Sequence, residues 1–100
     1  MSAGEVISPG SLKLLTAWSP ERGLDEVVEA ALAGRVRPED VRRLWAGAFL
    51  LYTDAAPSEL RDRVAARLRP GEGVFVVAFE QWSGRGPGAE QRAWLLRRGH

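Results

Sequence analysis

Six consecutive apolar residues, Val-Phe-Val-Val-Ala-Phe at 74–79, constrain this chain more than any other stretch. Three are β-branched valines and two are aromatic, side chains that suit a pleated surface better than a helix. Glycines 71 and 73 precede the run and Gly84 follows it, so it is short and sharply bracketed, as a strand is. A run without polar alternation predicts a central strand covered on both faces. A sheet is therefore the scaffold, and the other segments are read for how they cover it.

SLKLLTAW (11–18) alternates with Leu12, Leu14 and Trp18 to one side and predicts a strand, although Leu14, Leu15 and Trp18 also share a helical face. GLDEVVEAALAG (23–34) predicts a helix. Asp25, Glu26 and Glu29 crowd its first half, where the helix dipole favours acids. Leu24, Val27, Val28, Ala31 and Leu32 make its apolar stripe, and Gly34 takes the C-terminal capping position. PSELRDRVAARLRPG (57–71) predicts a second helix, opened by Pro57 and closed by Pro70-Gly71. Leu60, Val64 and Leu68 share one of its faces, and Glu59 pairs with Arg63 one turn on. AEQRAWLLRR (89–98) predicts a closing helix with Ala89, Ala93 and Leu96 inward. Ser8-Pro9-Gly10 reads as a turn that leaves residues 1–7 as a tail or short edge segment.

Residues 38–53 admit two readings. Pro38 with Glu39 and Asp40 opens a helical turn, and Val41, Leu44, Trp45, Ala48, Leu51 and Tyr52 continue a helical stripe. Gly47 would sit inside such a helix at a cost of about 1 kcal/mol relative to alanine, and AFLLYT has the aromatic content of a buried strand. The segment is read as a short helix at 38–45 and a strand at 47–53. The whole is then a single α+β domain over 1–100, a ferredoxin-like sandwich with a reduced, about three-stranded antiparallel sheet and helices packed on it. The alternative is a miniature parallel α/β sheet joined by right-handed crossovers.

The chain has no cysteine, and its one histidine is His100. Disulfides, thiol catalysis, histidine-based triads and multi-histidine zinc sites are thereby excluded, and no cofactor or metal is expected. No apolar run reaches 18 residues and the first ten lack a basic flank with an apolar core, which sets the expectation of a soluble, cytoplasmic protein with no membrane partner. The glycine-rich GEG (71–73) and GRGPG (84–88) match no phosphate-loop or dinucleotide fingerprint and read as turns.

Net charge is +1, but residues 1–34 carry −3 and residues 35–69 carry +3. Arg37, Arg42, Arg43 and Arg61 lie in that arginine-rich middle and are the candidates for a phosphate backbone. Acids interleave with these arginines and aromatic residues do not, so solvated helix faces and ion pairs are the simpler account. Four tryptophans in 100 residues suit both a core and the centre of an interface. Two of them open an echo: Trp18-Ser19 runs on to Arg22-Gly23, and Trp82-Ser83 runs on to Arg85-Gly86. Trp18, Arg22, Trp82, Ser83 and Arg85 are therefore candidate interface or anion-binding residues. They share one ligand only if both strands leave the sheet at the same end, as in the parallel alternative.

From Phe49 to Leu96 the order is FLLYTDA, the helix PSELRDRVAARL, a short turn, VFVVAF, the exit Gln81-Trp82-Ser83-Gly84, and Trp94-Leu95 in the tail. This pattern resembles the SinR-type relatives of the small ferredoxin-fold nucleases of CRISPR adaptation. The resemblance implies a ferredoxin-like homodimer, and for the nuclease branch an aspartate that holds metal at the end of the first strand. Here that strand ends Thr16-Ala17-Trp18-Ser19, with no acid before Glu21. The helix start carries Ala56 where serine is common, and 35–46 is unlike the family's second strand.

The function expected from these readings is association without catalysis: a homodimeric interaction module that meets its copy, or another protein, through a sheet edge or a Trp-bearing face. The alternative is a nucleic-acid-binding protein using the arginine-rich middle. A metal-dependent nuclease or phosphohydrolase using Glu21, Asp54 or Glu80 is the third reading.

Overall fold

The computed structural model describes residues 10–82 and 89–97. The elements run β1 (Ser11–Trp18), α1 (Asp25–Leu32), a 3-10 turn (Pro38–Asp40), β2 (Val41–Trp45), β3 (Ala48–Thr53), α2 (Pro57–Ala65), β4 (Gly73–Phe79) and α3 (Ala89–Arg97). The strands form one sheet in the order β2-β3-β1-β4, and every neighbouring pair is antiparallel. The described residues are thus α+β, with a four-stranded antiparallel sheet and three helices. Among the described residues no helix is long and apolar enough to cross a membrane.

Two expectations need correction. The segment 38–45 is not a helix: Pro38, Glu39 and Asp40 make a single 3-10 turn, and 41–45 continues as β2, so the sheet has four strands rather than three. Gly47 explains the outcome. Its φ of +81° belongs to the left-handed region that closes a tight turn, so the chain reverses there into a β2–β3 hairpin instead of continuing a helix. The second correction concerns β4, which is an edge strand, with Phe75 61% and Val77 36% exposed. An uninterrupted apolar run signals burial, but strand order is decided by pairings far away in sequence.

The pleat divides the sheet into two faces. On one face Leu15, Phe49 and Leu51 meet Leu24, Val28 and Leu32 from α1 and Leu60 and Val64 from α2, forming the main core. Each of these fully buried side chains stabilises the fold by about 1.5–3 kcal/mol through removal from water. Arg63 ties the two helices by donating from Nε to the Ala31 carbonyl (2.9 Å), near the C-terminal end of α1. The ion pair of Glu59 is made with Arg35, and Arg63 acts on that carboxylate only at longer range. On the other face Leu12 and Leu50 pack with Trp94 and Leu95 of α3, and the Trp94 indole donates to the Glu39 carbonyl (2.9 Å). Among the described side chains of α3, Trp94 and Leu95 are buried, Ala93 is half-buried, and Leu96 turns outward. Ala89 lies in α3, but its side chain is outside the described set, as are the 1–7 tail and the Ser8-Pro9 half of the first turn.

Candidate association surface

Helix α3 covers one end of its sheet face, and among the described residues nothing covers the other end. The register sets Leu14 between Leu50 and Val77, Thr16 between Ala48 and Phe75, and Trp18 beside Gly73, all on the α3 side. Trp45, paired with Ala48, falls on the same side at the far edge. Trp18 (54%), Trp45 (66%) and Phe75 (61%) stand exposed there, with Val77 beside Phe75. An aromatic side chain buries about 150–250 Å² in a core. Three rings more than half exposed therefore leave on the order of 350 Å² in water, within the size range of functional patches. Trp18 lies across Gly73 of the edge strand, where a Cβ would collide with its ring. This is how an aromatic side chain compensates for a glycine in a strand.

The two halves of the Trp-Ser echo separate. β1 and β4 are antiparallel neighbours, with Trp18 opposite Gly73 and Leu12 opposite Phe79. Trp82, which follows β4, therefore lies at the other end of the sheet from Trp18 and packs half-buried against the Leu12, Leu50 and Trp94 cluster. Ser83 and Arg85 lie outside the described residues.

The first half of the echo holds an anion already, and it is the chain's own. Arg22 grips Glu72 with two bonds, Nε to Oε2 at 2.7 Å and Nη2 to Oε1 at 2.8 Å, the forked geometry suited to carboxylates. Ser19 Oγ donates to Oε2 (2.9 Å) and the Arg69 backbone N–H donates to Oε1 (2.8 Å). The Glu72 side chain is only 3% exposed. Arg22, and after it the Arg69 amide, hold its carboxyl far below the usual carboxylate range, at about 2. The clasp binds the exit of β1 to the entry of β4. Sequence reasoning missed Glu72 because it took GEG only as a turn, and its partners Ser19 and Arg22 lie some fifty residues away.

A pH dependence follows. Glu72 titrates near 2 in the folded chain against an ordinary value of 4.5. Its stabilising contribution is therefore complete above about pH 4.5 and is lost as pH falls from there towards 2. A Glu72→Gln variant should melt lower than the wild type at neutral pH, on the order of 10 °C. That gap should close as the pH approaches 2, which thermal melts between pH 2 and 7 will show.

The four nucleic-acid candidates do not form a common surface. Arg37 pairs with Asp40 (3.0 Å), Arg43 with Asp25 (2.9 Å) and Arg61 with Asp62 (2.9 Å). Arg42, opposite Leu50, is on the α3 side of the sheet, whereas Arg43, opposite Phe49, is on the α1 and α2 side. Glu21 follows β1, while Asp54 and Glu80 follow β3 and β4 at the opposite end of the sheet, and Asp54 is held by Arg35 (3.0 Å). Arg35 also bonds Glu59 and keeps that carboxyl below its ordinary range.

An open cleft of about 210 Å³ is lined by Arg35, Arg37, Asp40, Thr53 and Asp54, with both arginines engaged by acids. It is smaller than the usual small-molecule site. Lys13, the chain's one lysine, is buried, and its Nζ donates to Ser11 Oγ and to the Thr53 carbonyl (both 2.7 Å). Burial pushes its pKa down. Among the described residues no group of three or more His, Cys, Asp or Glu could hold a metal ion. Compared with protein-family models, curated proteins and solved structures, the chain gives no match.

Proposed function

We propose that this protein acts by association rather than catalysis, as a homodimer that meets through the uncovered part of its sheet around Trp18, Phe75 and Val77. The observation that carries the reading is the exposure of these side chains together, on the half of the sheet face that α3 leaves bare. Apolar side chains grouped in this way gain from removal from water when a partner covers them.

The fold belongs to the same reading. A β-α-β-β-α-β order with strands arranged β2-β3-β1-β4 supports a ferredoxin-like sandwich. Kinship with the SinR-type relatives of the CRISPR-adaptation nucleases is part of the same proposal and rests on the sequence pattern of residues 49–96 alone. In this reading the chain is a non-cleaving member, since Thr16-Ala17-Trp18-Ser19 supplies no acid at the end of β1. A nucleic-acid-binding role draws less support, because Arg37, Arg43 and Arg61 each already face an acid of the same chain.

Tryptophan emission tests the reading. Trp18 is exposed in the single chain and becomes covered on association, so emission should move to longer wavelength as the protein is diluted, and a Trp18→Phe variant should lose most of that shift. Emission independent of concentration, with a single-chain mass throughout, would remove the proposal.

A further inference from the structure

We infer that the partner joins at the β4 edge: β4 of one copy pairs antiparallel with β4 of a second about a two-fold axis at Val76, making one eight-stranded sheet. This rests on the homodimer reading and deepens it by naming the contact.

The two edges of the sheet are built differently. β2 carries a bulge between Arg43 and Trp45 and two adjacent arginines, features that discourage a further strand. β4 has seven residues, GVFVVAF, in continuous register with β1, with no bulge, proline or charge. Its outer edge has no partner strand among the described residues. Such an edge is a template for another strand.

Symmetry selects the occupant. A two-fold contact brings each group to its own copy or near it, so a charged edge would meet like charge. β4 itself carries no charge, and of the acids flanking it Glu72, which comes opposite Glu80 of the second copy, is already neutralised by Arg22; β2 carries two arginines within the strand.

Symmetry and the pleat also select the register. Directly opposed residues of antiparallel strands lie on one face, and alternate residues of a strand lie on opposite faces. With the axis perpendicular to the sheet, two residues that oppose each other must therefore be an even number apart, and one residue must face itself. An axis at Val76 uses all of β4. Val76 faces Val76 of the second copy, Phe75 faces Val77, Val74 faces Ala78 and Gly73 faces Phe79. Moving the axis to residue 75 or 77 shortens the ladder by two residues. The central register gives about six to eight backbone hydrogen bonds, two from each alternate pair. On the bare face it sets each exposed Phe75 against an exposed Val77. It also sets Phe79, which packs with the α3 cluster, beside the Gly73 that Trp18 overlies. The α3-covered half of each sheet thus adjoins the bare half of the other.

The absence of cysteine makes the test direct, because an introduced thiol is the only one. Facing residues in an antiparallel ladder have Cα atoms about 4.5–5.5 Å apart, within the span of a disulfide. Val76→Cys should give nearly complete disulfide-linked dimer on mild oxidation. Phe75→Cys and Val77→Cys should each cross-link poorly alone and well when mixed in equal amounts. This exposed pair decides the matter even if Val76→Cys disturbs the core. Cross-linking of Phe75→Cys or Val77→Cys alone, or of Arg42→Cys on the β2 edge, overturns the register. Failure of all β4 variants to cross-link, with wild type still dimeric by sedimentation, overturns the edge contact and leaves the homodimer reading standing. A monomeric wild type overturns both.

Discussion

Phe75→Glu should separate the two copies of the proposed homodimer and leave each one folded. The side chain is 61% exposed in the single chain, so the monomer loses little when it is replaced. Surface substitutions of this kind change stability by about 0.5 kcal/mol or less. In the proposed dimer the same residue stands beside Val77 of the other copy, so the substitution removes an aromatic–β-branched cross-strand pair at each of the two symmetric positions. Such pairs contribute about 0.2–1 kcal/mol each, so the loss of both costs up to about 2 kcal/mol. Self-association should therefore weaken by up to about thirtyfold, while far-UV circular dichroism keeps the wild-type shape. Size-exclusion chromatography with light scattering reads the first quantity. A Phe75→Glu protein that stays dimeric at the wild-type dissociation constant would move the contact elsewhere.

Gly47→Ala acts on the fold and not on the association. Gly47 closes the β2–β3 hairpin with φ at +81°, and a Cβ there would drive into the Ala17 carbonyl. The position is fastened from both sides: its carbonyl accepts from the Ala17 amide (2.7 Å) and its amide donates to Asp25 Oδ1 (2.7 Å). The left-handed conformation costs an alanine about 1–2 kcal/mol, and displacing packed backbone costs about 1–3 kcal/mol more. Urea denaturation should show a loss of about 3 kcal/mol, a large share of the stability of a domain this size. A variant of unchanged midpoint would mean that the hairpin does not depend on this turn.

Local pattern made most elements legible, and pairing at a distance hid the rest. The strand at 11–18 and the helices opened by Pro57 and by Asp25-Glu26 were readable because apolar period and capping residues agree there. β2 was not readable. Val41, Leu44, Trp45 and Ala48 keep a helical period, and only pairing with β3 after the turn at Gly47 makes the segment extended. The edge position of β4 is likewise non-local, since it follows from β1 choosing β3 as its other neighbour. Its continuous apolar run reads as a strand covered on both faces, yet Phe75 and Val77 stand exposed. Asp25 shows the same limit at the scale of one residue. In sequence it belongs to the charge bias of a helix start, and in space it fastens Gly47 and Arg43. The first Trp-Ser motif is visible as a pattern, but its role depends on Glu72, some fifty residues later.

Sedimentation equilibrium of the unmodified chain at micromolar concentration addresses the central claim most directly. The account predicts a species of twice the 11.0 kDa chain mass, dissociating on dilution. A single species of 11.0 kDa across the whole concentration range would contradict it.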